Sequence, residues 1–319
     1  MRLVFWGTAE FGLPTLQAIA NDARHDLAAV VTGPDKARGR GRQVGGTPVA
    51  SWAQQHGLAP ILKPEHLGDP EFVAALRASA ADVYAVVAYR ILPESVFTIP
   101  RYAFNLHASL LPAYRGAAPI QRAIMAGETT TGVTTFLLQK TVDTGSIVAQ
   151  RETAILPEEN AGQLAERLAA LGAELVMETL DILARGAVHA HAQENARAST
   201  APKITPADRP LDFTLPAGRL INHVRALAPA PGAVAGFHQG VMKVLALRDA
   251  GPMPARHSPG EVVSADAKTG LRVAACDRMV SVELIQPPGK RVLTGAEFVR
   301  GYRIQPGDRF SPVTSDALS

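Results

Sequence analysis

Asn105 and His107 stand two residues apart in Asn105-Leu106-His107-Ala108-Ser109-Leu110-Leu111-Pro112, and Asp143 follows in Val142-Asp143-Thr144-Gly145. These are a carboxamide, an imidazole and a carboxylate. A carboxamide N–H can hold a developing oxyanion, an imidazole can move a proton, and a carboxylate can orient or charge that imidazole. An apolar strand is expected to end at Asn105 and His107, and residues two apart on a strand point to the same face. None of the three is a nucleophile of the serine or cysteine kind. The set suits a substrate that brings its own nucleophile, such as an amine. Ser109 is a poor alternative, because nothing around it resembles a Gly-x-Ser-x-Gly elbow. A lone strand histidine is ordinarily a satisfied core residue, so His107 gains chemical meaning only from its neighbours.

These residues need a scaffold, and the first half of the chain supplies an alternating one. Residues 3–6, 27–32, 60–62 and 83–88 read as short apolar strands, separated by helical spacing over 10–20, 47–56 and 72–80. Such a pattern predicts an α/β fold, a Rossmann-like parallel sheet covered on both faces. Ligands bind such sheets at the carboxyl ends of strands near a switch point, where Tyr89, Asn105 and His107 should fall. Residues 133–138 and 146–155 are expected as two further strands bracketing Asp143. Residues 163–183 carry an apolar stripe of Leu164, Leu168, Leu171, Leu175 and Met177, which predicts one long helix. Periodicity is then lost. We expect a catalytic domain over 1–187, a linker over 188–206 and a second domain over 207–319. In the last, a helix over 219–227 and five short strands between 232 and 285, separated by Gly and Pro turns, fit a small β domain.

Composition narrows the classes. The 319 residues are 47% apolar, enough for a sizeable core. No apolar run approaches the ~20 residues that cross a bilayer, and the opening MRLVFWGTAEFG lacks the long apolar stretch of a secretory signal. The single cysteine, Cys276, cannot form an internal disulfide, and no Cys or His pairs have zinc-ligand spacing. We expect a cytoplasmic enzyme, monomeric, away from membranes and without a structural metal. From residue 207 onward the chain holds 14 Lys and Arg against 10 Asp and Glu, a net of +4; residues 1–206 hold 18 against 19, a net of −1. That asymmetry suits a polyanion gripped by the second domain, though an ordinary surface can look the same. Gly7-Thr8-Ala9-Glu10-Phe11-Gly12 lacks the Lys of a phosphate-binding P-loop and reads as a tight strand-to-helix turn.

The segment NLHASLLPAYRGAAPIQ from Asn105 to Gln121, with Asp143-Thr144-Gly145, closely resembles the 10-formyltetrahydrofolate-dependent formyltransferases. Within them, the run Gly116-Ala117-Ala118-Pro119-Ile120-Gln121 looks most like the methionyl-tRNA formyltransferases. The resemblance runs from Phe5-Trp6-Gly7-Thr8 through Ala201-Pro202-Lys203-Ile204 to Pro231-Gly232-Ala233. It implies a formyltransferase domain followed by an OB-like barrel, 10-formyltetrahydrofolate as formyl donor and methionyl-initiator tRNA as acceptor. It also implies that Asn105, His107 and Asp143 are catalytic, and that Ser109, Leu110, Leu111 and Pro112 line the folate site, with Tyr89 and Ile91 closing it. An α-amine titrates near ~7.7–8.0, and esterification of its carboxyl lowers that, so a neutral fraction exists near neutral pH. The enzyme's main task is then to stabilise the oxyanion and give the proton a path. Whether His107 or a water held by Asp143 takes that proton stays open.

Lys36, Arg38, Arg40 and Arg42 alternate with Gly or Ala within Gly33–Gly46, a pattern unable to build a core. A solvated basic loop is the bland alternative. In the context of the resemblance, the loop matches an insertion of the tRNA-specific members and implies tRNA binding by these four cations. Ala9, Ala230 and a one-residue-shorter Tyr89–Pro93 segment depart from the commoner family pattern, without touching the Asn-His-Asp set. Two rivals remain at this point: formylation of a small amine, such as an amino sugar nucleotide or glycinamide ribonucleotide, and a non-catalytic folate- or RNA-binding relic.

Overall fold

Strands that are apolar on both faces must be covered on both faces, and the first half of the chain is built around such strands. The computed structural model describes residues 1–38, 43–58, 60–186, 188–238, 240–254 and 256–314. It contains two units. The first comprises Met1–Pro119, Thr130–Ala154 and Ala165–Ala201; the second comprises Ile120–Thr129, Ile155–Leu164 and the described residues from Pro202 onward.

The elements of the first half are β1 (Arg2–Gly7), α1 (Leu13–Ala20), β2 (Asp26–Val31), β3 (Lys36–Arg38), β4 (Gln43–Gly45), α2 (Pro48–Gln55), β5 (Ile61–Leu62), α3 (Pro70–Ala78), β6 (Val83–Val87), α4 (Glu94–Phe97) and β7 (Tyr102–His107). After them come α5 (Pro119–Ala126), β8 (Thr130–Leu137), β9 (Ile147–Ala154) and the long α6 (Ala161–Ala184). The sheet order is β5-β2-β1-β6-β7-β8-β9. Its first five strands run parallel, whereas β8 and β9 run antiparallel, so the sheet is mixed rather than wholly parallel. Alternation sends Val4, Trp6, Tyr84 and Val86 to one face, where Phe72 and Leu76 of α3 pack on them. Leu137, the end of β8, pairs with Phe104 rather than with His107. The connection over 138–146 therefore has to double back to bring Asp143 to His107.

The basic segment is not irregular throughout. β3 and β4 pair antiparallel, Lys36 with Gly45 and Arg38 with Gln43, so its flanks form a two-stranded ribbon. The alternation of small and long residues, read from sequence as flexibility, is also the period of a strand.

In the second unit α7 (Ala217–Leu227) buries Leu220, Val224 and Leu227, the helical spacing of a single face. It is followed by β10 (Ala233–Phe237), β11 (Gly240–Asp249), β12 (Val262–Asp266), β13 (Gly270–Ala274), β14 (Met279–Gln286), β15 (Leu293–Thr294), α8 (Gly295–Tyr302) and β16 (Phe310–Ser311). The path β12-β13-β14-β11-β10-β16 is antiparallel. Its two ends meet, because a bridge joins Glu261 to Arg309 and the Phe310 N–H donates to the Gly260 carbonyl at 2.8 Å. The sheet closes into a small barrel around Phe237, Phe298 and Phe310. α8 was not expected from periodicity, yet a capping box announces it: Thr294 Oγ1 accepts from the Glu297 N–H and Glu297 Oε2 accepts from the Thr294 N–H.

Candidate active site

β7 is the strand at which the sheet changes character, with parallel β6 on one side and antiparallel β8 on the other. Asn105 and His107 sit at its carboxyl end on the same face, as their spacing requires. His107 is only 6% exposed. Its Nε2 lies 2.8 Å from the carbonyl oxygen of Tyr114. A carbonyl can only accept, so Nε2 carries a proton and Nδ1 is the nitrogen free to exchange one. Nδ1 faces Asp143 Oδ2 at 4.0 Å. That gap is too long for a direct hydrogen bond. It holds two acceptors pointing at one another, an arrangement completed by a donor between them, such as an amine, a water or a proton on Nδ1. Among the described residues, the half-buried Asn105 carboxamide has no hydrogen-bond partner, which leaves its N–H groups unengaged.

Backbone geometry fixes the acid. Asp143 has φ +55°, in the left-handed region that Asp tolerates better than most residues. Its Oδ2 accepts from the Gly116 N–H at 2.9 Å. Gly116 has φ +130°, and a Cβ there would stand 2.5 Å from the Ala201 carbonyl oxygen, so only glycine fits. Thr144 Oγ1 donates to the Thr141 carbonyl at 2.8 Å and accepts from Gln139 Nε2, tying the loop to itself. At Gly145 a Cβ would lie 1.7 Å from the Leu137 carbonyl oxygen. Gly145→Ala must therefore push the Asp143 loop off β8. A misplacement of about 1 Å can cost ~10²-fold in rate, and a fall of that order in kcat is expected in a steady-state assay.

The expected folate residues divide. Ser109 is 1% exposed and donates its hydroxyl to the Ala113 carbonyl at 2.6 Å; Leu111 is 3% exposed. Their backbone is engaged as well. Thr134 Oγ1 donates to the Ser109 carbonyl at 2.6 Å and accepts from the Leu111 N–H at 3.1 Å, while Gln150 Nε2 donates to the Leu111 carbonyl at 2.8 Å. Ser109 and Leu111 are thus fastened to β8 and β9, and Leu110 and Pro112 stay partly accessible. Thr134 and Gln150 gave no sequence signal; they matter because β8 and β9 place them side by side. On the strand next to β7, the segment after β6 turns out through Ala88 at φ +51°. There Ile91 is 70% exposed, an apolar side chain open to solvent. Tyr89 wedges edge-on against Trp6 at 5.5 Å between centroids, and burial pushes its phenol pKa up, so it remains a donor.

Of the four cations, Lys36 is exposed at the start of β3 and the backbone of Arg38 ends that strand; Arg40 and Arg42 lie outside the described residues. The ribbon's base is anchored by Lys63 Nζ, 2.7 Å from Asp35 Oδ1, and by the Thr32 and Thr47 hydroxyls, 2.6 Å apart. A pocket lined by Leu27, Ala29, Val30, Gly57, Leu58 and Pro60 offers no polar side chain. Among the described residues no group of three His, Cys, Asp or Glu is arranged to hold a metal ion, and no helix is long and apolar enough to cross a membrane.

Residues 1–180 match the formyl transferase family model, and residues 203–303 match that of the formyl transferase C-terminal domain. A methionyl-tRNA formyltransferase from Thermobifida fusca is 42% identical over 315 residues, covering 97% of this chain and 99% of that one. One from Geotalea uraniireducens is 40% identical over 309 residues, covering 96% and 97%. The fold is shared with HypX from Aquifex aeolicus, solved in complex with tetrahydrofolic acid, at a TM-score of 0.66 and 18% identity; the match covers 94% of this chain and 48% of that one. Two matched domain models and near-full-length relatives leave one assignment: the chain belongs to the formyltransferase family, in its methionyl-tRNA formyltransferase branch.

Proposed function

We propose that the chain transfers the formyl group of 10-formyltetrahydrofolate to the α-amine of methionyl-initiator tRNA, giving the N-formylmethionyl-tRNA that starts translation. The observation that carries the site assignment is the pairing of His107 Nδ1 with Asp143 Oδ2 across 4.0 Å, with the unpartnered Asn105 carboxamide on the same strand face. The folate derivative supplies the formyl carbon. Tyr89 and Ile91 would hold it from one side and Leu110 and Pro112 from the other, with Ser109 and Leu111 fixing the loop from within. When an amine adds to the formyl carbon, its oxygen gathers negative charge and its nitrogen must shed a proton. In this reading the Asn105 N–H meets the oxygen, His107 Nδ1 takes up the proton and returns it to the departing nitrogen, and Asp143 stabilises the imidazolium in between.

The basic segment supports a nucleic-acid acceptor over a small amine, with Lys36, Arg38, Arg40 and Arg42 meeting phosphates and the second domain expected over 207–319 adding its own positive charge. The enzyme is taken as a cytoplasmic monomer, checked by sedimentation at the mass of one 33.7 kDa chain. Purified enzyme is expected to convert methionyl-tRNA to its formylated form, read by mass spectrometry of the released amino acid. Turnover of an amino sugar nucleotide or glycinamide ribonucleotide, with none on the tRNA, would overturn the reading; tRNA binding without any turnover would restore the relic.

A second expectation concerns salt. Neutralising Arg38, Arg40 and Arg42 together removes three phosphate contacts if each cation makes one. The log–log slope of tRNA affinity against salt should then flatten by roughly 2–3. A filter-binding salt series measures it, and an unchanged slope would remove these three cations from the interface.

A further inference from the structure

The residues between α6 and the barrel unit look like a tether in the sequence, but they are hydrogen-bonded into the site. His191 and Ile147 exchange both backbone hydrogen bonds, at 2.8 and 2.9 Å, which lays this segment along the start of β9. Two residues later, Gln193 Nε2 donates to the Asp143 carbonyl at 2.9 Å and to the Gly145 carbonyl at 2.8 Å. One carboxamide thus uses both its N–H groups on the loop that carries the acid. Its Oε1 is held by Arg115, which donates from Nε at 3.0 Å and from Nη2 at 2.7 Å; Nη2 also reaches Asn195 Oδ1 at 3.0 Å. Every hydrogen-bonding atom of the Gln193 side chain is engaged, so its position is determined from both ends.

Arg115 does more than grip Gln193. Its backbone N–H donates to the Ser199 carbonyl at 2.9 Å, and its carbonyl accepts from the Ala201 N–H at 2.7 Å. The turn so fixed, 114–116, carries the carbonyl against His107 Nε2 and the amide against Asp143 Oδ2. The same segment therefore holds the fixed side of the imidazole and the backbone of the acid. Asp143 needs such help, because its left-handed φ is not one a free loop would keep. A gap set at 4.0 Å between the end of a strand and a loop is also easily lost if the loop moves.

We infer that Gln193, locked by Arg115, is a positioning residue for formyl transfer: it holds the Asp143 loop so that the carboxylate stays against His107. The inference rests on the catalytic reading of the His–Asp pair and adds the segment that follows α6 to the working parts of the enzyme. Both of its donors end on the loop that carries Asp143, which sets it apart from a residue that only stabilises the fold.

The test is a double-mutant cycle in single-turnover formylation with enzyme in excess, so that slow variants remain measurable. Gln193→Met keeps the volume and removes every hydrogen bond; Gln193→Glu keeps the acceptor for Arg115 and removes both donors. In the otherwise unaltered enzyme each should lower the rate by about 10–100-fold, with KM for tRNA and folate within about twofold. In an Asp143→Ala background the same changes should do almost nothing, because the group they position is gone. Equal losses in both backgrounds, or no loss in the unaltered one, would overturn the inference, whatever happens to Tm. Failure of the unaltered enzyme to formylate tRNA at all would instead indict the proposed function.

Discussion

A His107→Ala enzyme is expected to lose about 10²–10⁴ in kcat, the usual worth of a positioned acid–base group, while its KM for methionyl-tRNA changes by no more than about twofold. The two nitrogens make the experiment sharper. Nε2 is fixed by the Tyr114 carbonyl and only Nδ1 faces the acid. Substituting Gln retains a side-chain N–H donor for that carbonyl but has no group that titrates near neutral pH. If His107 works by moving a proton, Gln should be as slow as Ala; if it merely fills the strand end, Gln should recover most of the rate. Pre-steady-state formylation, in which product release cannot mask the chemical step, decides between them. A Gln variant close to the unaltered rate would remove His107 from the mechanism.

Asn105 and His107 could be read because both lie on one strand, where a spacing of two fixes a shared face before any tertiary contact is known. Strands β1, β2 and β6 were legible for the same kind of reason, since burial on both faces leaves a continuous apolar run. Asp143 could be named only through the motif it belongs to. Its approach to His107 depends on a loop that doubles back from β8, and no local pattern encodes where such a loop returns. The antiparallel course of β8 and β9 was hidden likewise, because strand direction follows from connection geometry rather than from composition. Ser109 and Leu111 illustrate another limit. Their types suit a ligand-lining loop, yet Thr134 and Gln150, adjacent only across the β8–β9 ladder, draw them inward. Periodicity ends after α6, as it does in a linker; backbone pairing of His191 with Ile147 needs no periodic side chains, so it leaves no trace of that kind.

Asn105→Asp is expected to lose more activity near neutral pH than truncation of the same side chain. The two side chains have nearly the same shape, so β7, its pairing with Val86 and Phe136, and the half-buried site itself are retained. What changes is polarity where charge develops: two N–H donors become an acceptor, and the carboxylate, when ionised, faces an oxygen that is turning negative. Removal of one oxyanion donor costs ~10²–10³ in kcat, so Asn105→Ala should fall in that range. Asp adds repulsion and should be slower than Ala near neutral pH. The order itself is the diagnostic. A group that only spaces the strand would make the isosteric Asp faster than the truncated Ala; a group that meets an oxyanion makes it slower. Lowering the pH should narrow the difference, since protonating the new carboxyl removes its charge and returns an O–H donor. Single-turnover rates of the two variants across the acid range measure this directly. An Asp variant faster than Ala at neutral pH would place the developing charge elsewhere and leave His107 and Asp143 without an oxyanion partner on β7.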